Sequence, residues 1–389
     1  MKVLYCILDN RFGGPHRRAH SVSLRLHEDD IETVFSTGRK AKETWHPDGF
    51  QIHSLKHIQC FYRRHPILNL LRFLLWLPLN LVRIQRLIRA SGIDIVHIDG
   101  VTNFVPALAA AMSRIPIVWL YNDHLPGPLR RLLLPLVTSL SATVIVQGER
   151  LRRERTEGNA RLAAKTTVLY SAVDTETFCG DRYDTAARAR IRQRLGVPVD
   201  GPLIGTIGNL NRFKGHTYFL EAAARIKQEK ASVKFLVVGR RLETDPDYWD
   251  QLQRLTAQLG LREDVVFAGF RDDIPAVLAA LDVFVLASVL ESCPVVVLEA
   301  MAMEVPVVAT DVGAVDELLN HGRVGAIVPP RDGPAIAAAV LAILAQPRED
   351  VQALTRSARK RVVEEYSVDT IANRQRRIYE KLGERKCRV

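Results

Sequence analysis

The sequence predicts an α/β protein of two domains, each built on a parallel sheet. Three observations predict it. A chain of 389 residues is too long for one ordinary domain and fits two of roughly 150 to 200 residues each. Short apolar runs bounded by turn residues alternate with longer helical patterns from the first residue onward, which is the rhythm of βαβ units. Runs such as VKFLVVG and LDVFVLAS are apolar almost throughout, as suits strands covered by helices on both faces.

The expected strands of the first half are Val3–Leu8, Thr33–Phe35, Ile95–Ile98, Ile117–Tyr121, Thr143–Val146 and Thr167–Leu169. After the polar, arginine-rich stretch Asp181–Arg194 the rhythm restarts with Leu203–Ile207, Val233–Val238, Val265–Phe267, Val283–Leu286, Val307–Ala309 and Ala326–Val328. The linker is expected near Phe178 to Tyr183, which divides the chain into domains 1–180 and 181–367 and a tail, 368–389. The tail reads as a charged amphipathic helix that either packs back on the first domain or lies in solvent. In open α/β sheets ligands gather at the carboxyl ends of the strands, so two such domains are expected to face each other across a cleft lined by strand-to-helix loops.

Composition narrows the class. With 47% hydrophobic and 25% charged residues the chain is neither a disordered polymer nor a polytopic membrane protein. Its net charge of +11 favours anionic partners. Cys6, Cys60, Cys179, Cys293 and Cys387 are odd in number, scattered and without metal-ligand spacing, so a reducing cytoplasm is the simplest home. The apolar run Val3–Leu8 ends at Asp9, shorter than a signal-peptide core of ~7 or more apolar residues with its cleavage site, and is expected to form the first strand. Ile67–Leu81 is interrupted by Asn69, Arg72, Pro78 and Asn80, short of the ~20 apolar residues of a spanning helix.

Two stretches carry chemistry. Glu291-Ser-Cys-Pro-Val-Val-Val-Leu-Glu299 follows a strand and opens a helix. Pro294 suits the first turn, where its missing N–H costs nothing, and the free amides of that turn, with the helix dipole, suit a phosphate. A carboxylate accepts two hydroxyls in a fork, as sugar diols require. The second stretch, Gly208-Asn-Leu-Asn-Arg-Phe-Lys-Gly215, precedes the helical segment His216–Arg225. Its glycines allow a tight turn, and Lys214 or Arg212 can place charge on a phosphate. It is not GxxxxGK[ST], and GxGxxG occurs nowhere.

The strings GNLNRFKG, LVVG, VVFAGFRDDI, LDVFVLAS, ESCPVVVLEAMA, PVVATDVGAVDEL and GAIVPPRD resemble, in order and spacing, the C-terminal domain of the retaining glycosyltransferases of family four. Gly13-Gly14, DIVHID at Asp94–Asp99 and VLYSAVDTETF at Val168–Phe178 extend the resemblance over the first half. It implies the GT-B architecture, two Rossmann-like domains with the nucleotide-sugar donor bound mainly to the second and the acceptor to the first.

By this resemblance Lys214 binds the diphosphate, Glu291 touches the transferred sugar and Glu299 the ribose. The amides of Val295, Val296 and Val297, with Leu298, belong to the same unit. Phe270 and Arg271 lie where the family holds the base. Gly13 and Gly14, with Arg17 nearby, match the loop over the donor phosphates. The sequence departs at Asn209, where the family has an arginine that Arg212 would have to replace, at Glu304, which replaces a glycine, and at Pro294. The family's acceptor-side histidine falls in Tyr121-Asn122-Asp123-His124, where Asn122 occupies its usual place and Asp123 or His124 is left to orient the sugar. His97 reads as a core histidine. Asp245-Pro-Asp247 has the DxD form of metal-dependent transferases but reads as a turn or cap. No metal and no cofactor are expected, since Lys214 and a helix N-terminus can offset diphosphate charge.

From Arg63 to Arg89, six arginines interleave with leucines, Phe73 and Trp76, and Pro128–Leu134 is a second basic, apolar patch. Such a segment either lies on an anionic membrane, bringing a lipid-linked or envelope glycan to the cleft, or is buried against the first sheet with its arginines in solvent. Nucleic acid is not an expected partner. The expected function is hexose transfer from a nucleotide-diphosphate sugar to an acceptor hydroxyl, on the cytoplasmic side and peripherally at the membrane. The rivals are a sugar-nucleotide epimerase of the same architecture and a non-catalytic nucleotide-sugar-binding protein.

Overall fold

The computed structural model describes residues 1–7, 14–38, 49–55, 66–124, 127–242 and 245–386. The chain divides into two compact units, one of Met1–Ala172 with Val368–Val389, the other of Val173–Ser367. The division falls at Ala172 rather than at 180. Val173 donates its N–H to the Tyr366 carbonyl at 3.0 Å, and Arg359 donates to the Phe178 carbonyl at 3.0 Å, so residues 173–180 are tied to the second unit.

In the first unit β1 (Lys2–Ile7), β2 (Glu32–Gly38), β3 (Gln51–Leu55), β4 (Ile95–Asp99), β5 (Ile117–Leu120), β6 (Thr143–Val146) and β7 (Thr166–Val168) form a parallel sheet in the order β3-β2-β1-β4-β5-β6-β7. Alternate residues of each strand serve opposite layers. On one face Val96 and Ile98 pack with Phe73, Ile84, Ala107 and Val137 of the helices Pro66–Ala90, Phe104–Met112 and Gly127–Leu140. On the other, Val3, Ile95 and Val118 pack with Val22 and Leu26 of Gly14–Glu28 and with Ile371, Ala372 and Tyr379 of Val368–Lys386. A buried aliphatic side chain contributes roughly 2 kcal/mol, so this terminal helix is a structural layer of the unit rather than a solvated tail. The edge strand β3 escapes the sequence pattern, because QIHSL pairs only with β2 and lacks the apolar run of a buried strand.

In the second unit β8 (Leu203–Ile207), β9 (Lys234–Val238), β10 (Val265–Gly269), β11 (Val283–Leu286), β12 (Val307–Thr310) and β13 (Ala326–Val328) form a parallel sheet in the order β10-β9-β8-β11-β12-β13. Both sheets reverse their strand order once, between β1 and β4 and between β8 and β11. In a doubly wound sheet the loops diverge there, leaving a crevice for ligand.

Candidate active site

In the second unit the two stretches singled out above meet at this switch point. The loop after β8 carries Lys214 and the loop after β11 carries Glu291. Lys214 Nζ donates to Glu291 Oε1 at 2.5 Å, and Ser288 Oγ donates to the same oxygen at 2.9 Å. Neither side chain is free in solvent: Lys214 is 27% and Glu291 14% exposed.

Local bonds explain why these loops hold their shape. Asn211 Oδ1 accepts from the amides of Phe213 and Lys214 at 3.0 and 3.2 Å, an Asx turn that opens the short helical turn Arg212–Lys214. Gly215 follows at φ +63°, and a Cβ there would lie 1.9 Å from the Ala287 carbonyl oxygen, so only glycine lets the two loops approach this closely. Val289 N–H donates to the Phe213 carbonyl at 2.8 Å, and Thr310 Oγ1 donates to the Ser288 carbonyl at 2.6 Å. Asn211, Ser288, Thr310 and Gly313 were not singled out from the sequence. Only Asn211, in a glycine-flanked loop, gave a local signal.

The helix Val295–Ala302 begins immediately after Pro294, which caps it from outside rather than occupying its first turn. The Val297 amide donates to the Pro294 carbonyl at 3.1 Å, so of the three amides expected to serve an anion it is already engaged. Val295 and Val296 remain at the helix start, where amides have no carbonyl one turn back. Leu298 is buried in the core, and Glu299 is half-buried one turn further along the helix. Behind the loop, a Cβ on Gly313 (φ +57°) would meet the Ser292 and Glu291 carbonyl oxygens. Glu304, at the position of the family's glycine, adopts φ +55°.

Asn209 is exposed. Arg212 does not join Lys214: its guanidinium donates to Gln251 at 2.7 Å, lies 3.5 Å from Asp245 and stacks 5.4 Å from the Tyr248 ring. Arg271 forks onto Asp273 at 2.7 and 2.5 Å, a bond that raises its pKa, so its guanidinium is occupied. Phe270 lies under Arg240 at 4.3 Å, and the two line a pocket of about 210 Å³ with Leu210, Gly239, Trp249 and Phe267. Asp245 precedes the helix Pro246–Gln258, so the DxD string is a helix start. Among the described residues no cluster of three or more His, Cys, Asp and Glu has the arrangement of a metal site.

In the first unit Gly13 lies outside the described residues, as do Cys60 and Cys387. Gly14 and Arg17 are exposed in the first turn of Gly14–Glu28. At the carboxyl ends of β4 and β5, Asp99 is the hub: Arg18 donates to Oδ2 at 3.1 Å and Asn122 to Oδ1 at 2.8 Å. Asp123 accepts from the Val101 amide and so fixes the loop after β4; burial raises its pKa. His124 is exposed. His97 is a core residue. Its Nδ1 is 2.6 Å from the Tyr379 hydroxyl, its ring stacks 4.2 Å from Tyr5, and burial lowers its pKa well below the usual value.

The family described as Glycosyl transferases group 1 matches residues 201–346, and Glycosyltransferase Family 4 matches residues 12–177. The chain is similar to the alpha-D-kanosaminyltransferase of Streptomyces kanamyceticus, 27% identical over 80% of this chain and 82% of that one. It is 28% identical to an uncharacterised glycosyltransferase of Methanocaldococcus jannaschii, over 91% of this chain and 89% of that one. Among solved structures, HepE of Anabaena in complex with UDP and glucose superposes with a TM-score of 0.82 at 22% identity, covering 98% of this chain and 99% of that one. The two parallel-sheet domains define a glycosyltransferase of GT-B fold. The chain belongs to the group 1, family 4 glycosyltransferases.

Proposed function

We propose that the protein transfers a hexose from a nucleoside-diphosphate sugar to an acceptor hydroxyl with retention of configuration, without a metal or other cofactor, and that the acceptor is a lipid-linked or envelope glycan. The observation that carries the donor reading is the contact of Lys214 with Glu291 at the switch point, beside a helix N-terminus. The UDP and glucose held by the Anabaena neighbour support a nucleotide sugar here.

The chemistry follows from charge. As the glycosidic bond to the diphosphate breaks, negative charge gathers on the leaving phosphate. Lys214 and the amides of Val295 and Val296 are preorganised donors for it. An entering diphosphate competes with Glu291 for the Lys214 ammonium, which releases the carboxylate to accept hexose hydroxyls. By the resemblance, Glu299 takes the ribose diol. On the acceptor side, Asp99, Asn122 and Asp123 form the polar group at the strand ends, with His124 beside them.

The test is nucleotide release from a panel of UDP-, GDP- and ADP-sugars, with and without membrane extract and with EDTA. Release is expected to depend on extract, to survive EDTA and to yield a product of unchanged anomeric configuration. Conversion of the donor without any acceptor would favour an epimerase, and binding without turnover a non-catalytic protein.

A further inference from the structure

The helix Pro66–Ala90 has two apolar faces. Phe73, Ile84 and Ile88 are buried in the core, with Leu77 and Leu81 packed against it. Leu68, Leu71, Leu75, Leu79 and Val82 recur at three- and four-residue spacing, which makes one stripe on the opposite side. They are 46%, 59%, 77%, 43% and 41% exposed. Singly exposed leucines need no explanation, but a ridge of them does.

The ridge is rimmed by one sign of charge. Arg72, Arg83, Arg86 and Arg89 of the same helix are exposed, and Pro66–Ala90 contains no acidic residue. Helix Gly127–Leu140, which packs on the same side of the sheet, is likewise without acid and exposes Arg131 and Leu132. Among the described residues no helix is long and apolar enough to cross a membrane, so the ridge is not part of a span.

We propose that this face docks in the plane of an anionic phospholipid surface, with the leucines entering the acyl boundary and the arginines on lipid phosphates. Charge complementarity selects this occupant. Two copies meeting ridge to ridge would oppose arginines with no carboxylate on the ridge to neutralise them, whereas a lipid phosphate accepts a guanidinium fork. Basic residues near an anionic leaflet add to the insertion of apolar side chains. This inference deepens the acceptor reading by naming the surface from which a lipid-linked acceptor would be taken.

The experiment is flotation of the full chain with vesicles of phosphatidylglycerol and phosphatidylcholine, against phosphatidylcholine alone. Wild type floats with the anionic vesicles at least roughly tenfold better than with the neutral ones. The variants Leu75→Glu/Leu79→Glu and Arg86→Gln/Arg89→Gln each lose roughly tenfold or more of that binding, with melting temperatures unchanged because the side chains are exposed. Equal flotation of the variants, no flotation of wild type, or a wild-type dimer in light scattering that Leu75→Glu/Leu79→Glu dissolves would each overturn the proposal. Flotation uses neither donor nor acceptor, so its outcome stands apart from that of the transfer assay.

Discussion

Lys214 Nζ lies 2.5 Å from Glu291 Oε1 across 77 residues of sequence, so the lysine that would meet the diphosphate is held by the carboxylate that would meet the sugar. Removing either partner should therefore act differently on binding and on turnover. Lys214→Ala lowers turnover by ~10²-fold or more, as expected for a lost charge-stabilising donor, and weakens binding of the free nucleoside diphosphate. Glu291→Gln lowers turnover too, but it frees the ammonium and leaves nucleotide binding equal or tighter. Titration calorimetry alongside rates checks this split, and equal losses of binding in both variants would contradict it.

Gly313 supports the glutamate loop from behind. Gly313→Ala combines a positive φ with a Cβ that would lie 2.4 Å from the Ser292 oxygen, whereas Gly260 shares the positive φ but has nothing within 4 Å of its Cβ position. Gly260→Ala should cost about 1 kcal/mol from backbone strain alone. Gly313→Ala should cost more and also reduce turnover, because the Glu291 loop must shift to admit the methyl group. Thermal midpoints and rates of the two variants give the comparison.

Glu304 holds φ +55°, a conformation that disfavours side chains by about 1–2 kcal/mol. Its contact with Arg359, at 3.8 Å and 35% exposed, is a weak surface pair worth less than ~1 kcal/mol. Glu304→Gly should therefore raise the thermal midpoint or leave it unchanged. A clear fall would mean that the pair outweighs the strain.

His216 is 1% exposed, with its ring 6.1 Å from that of Tyr248. Burial, with the Lys214 charge second, lowers its pKa to about 4, against ~6.5 in the unfolded chain. Above ~6.5 both states are neutral at this residue. As pH falls from there to about 4 the unfolded chain takes up a proton that the folded chain refuses, and up to ~3 kcal/mol of stability is lost. Urea unfolding at pH 7 and pH 4.5 should show a smaller pH effect in His216→Asn than in wild type. Equal slopes would show that the imidazole titrates alike in both states.

Much of this was legible in the sequence. Strands such as VKFLVVG are apolar because both their faces are covered, so a local count of residues reports their burial. The glycine-lysine and paired-glutamate strings were legible because each sits at a strand end, where the chain must turn and where ligands bind. β3 was not, since an edge strand with one neighbour carries no apolar run. Arg212 offers a charge for the phosphate in the sequence, yet its guanidinium goes to Gln251, 39 residues further on. Long charged side chains choose among partners that only folding brings near.

Sequence by itself determined the alternation of strands and helices, the two parallel sheets and the strings at their carboxyl ends, because hydrophobic period and turn chemistry are properties of neighbouring residues. Tertiary structure alone decided that Lys214 faces Glu291, that Asp99 gathers Arg18 and Asn122, and that one side of the helix Pro66–Ala90 is left uncovered. Each of these depends on which distant segments lie side by side. That is set by packing of the sheets and their layers, and a one-dimensional pattern does not carry it.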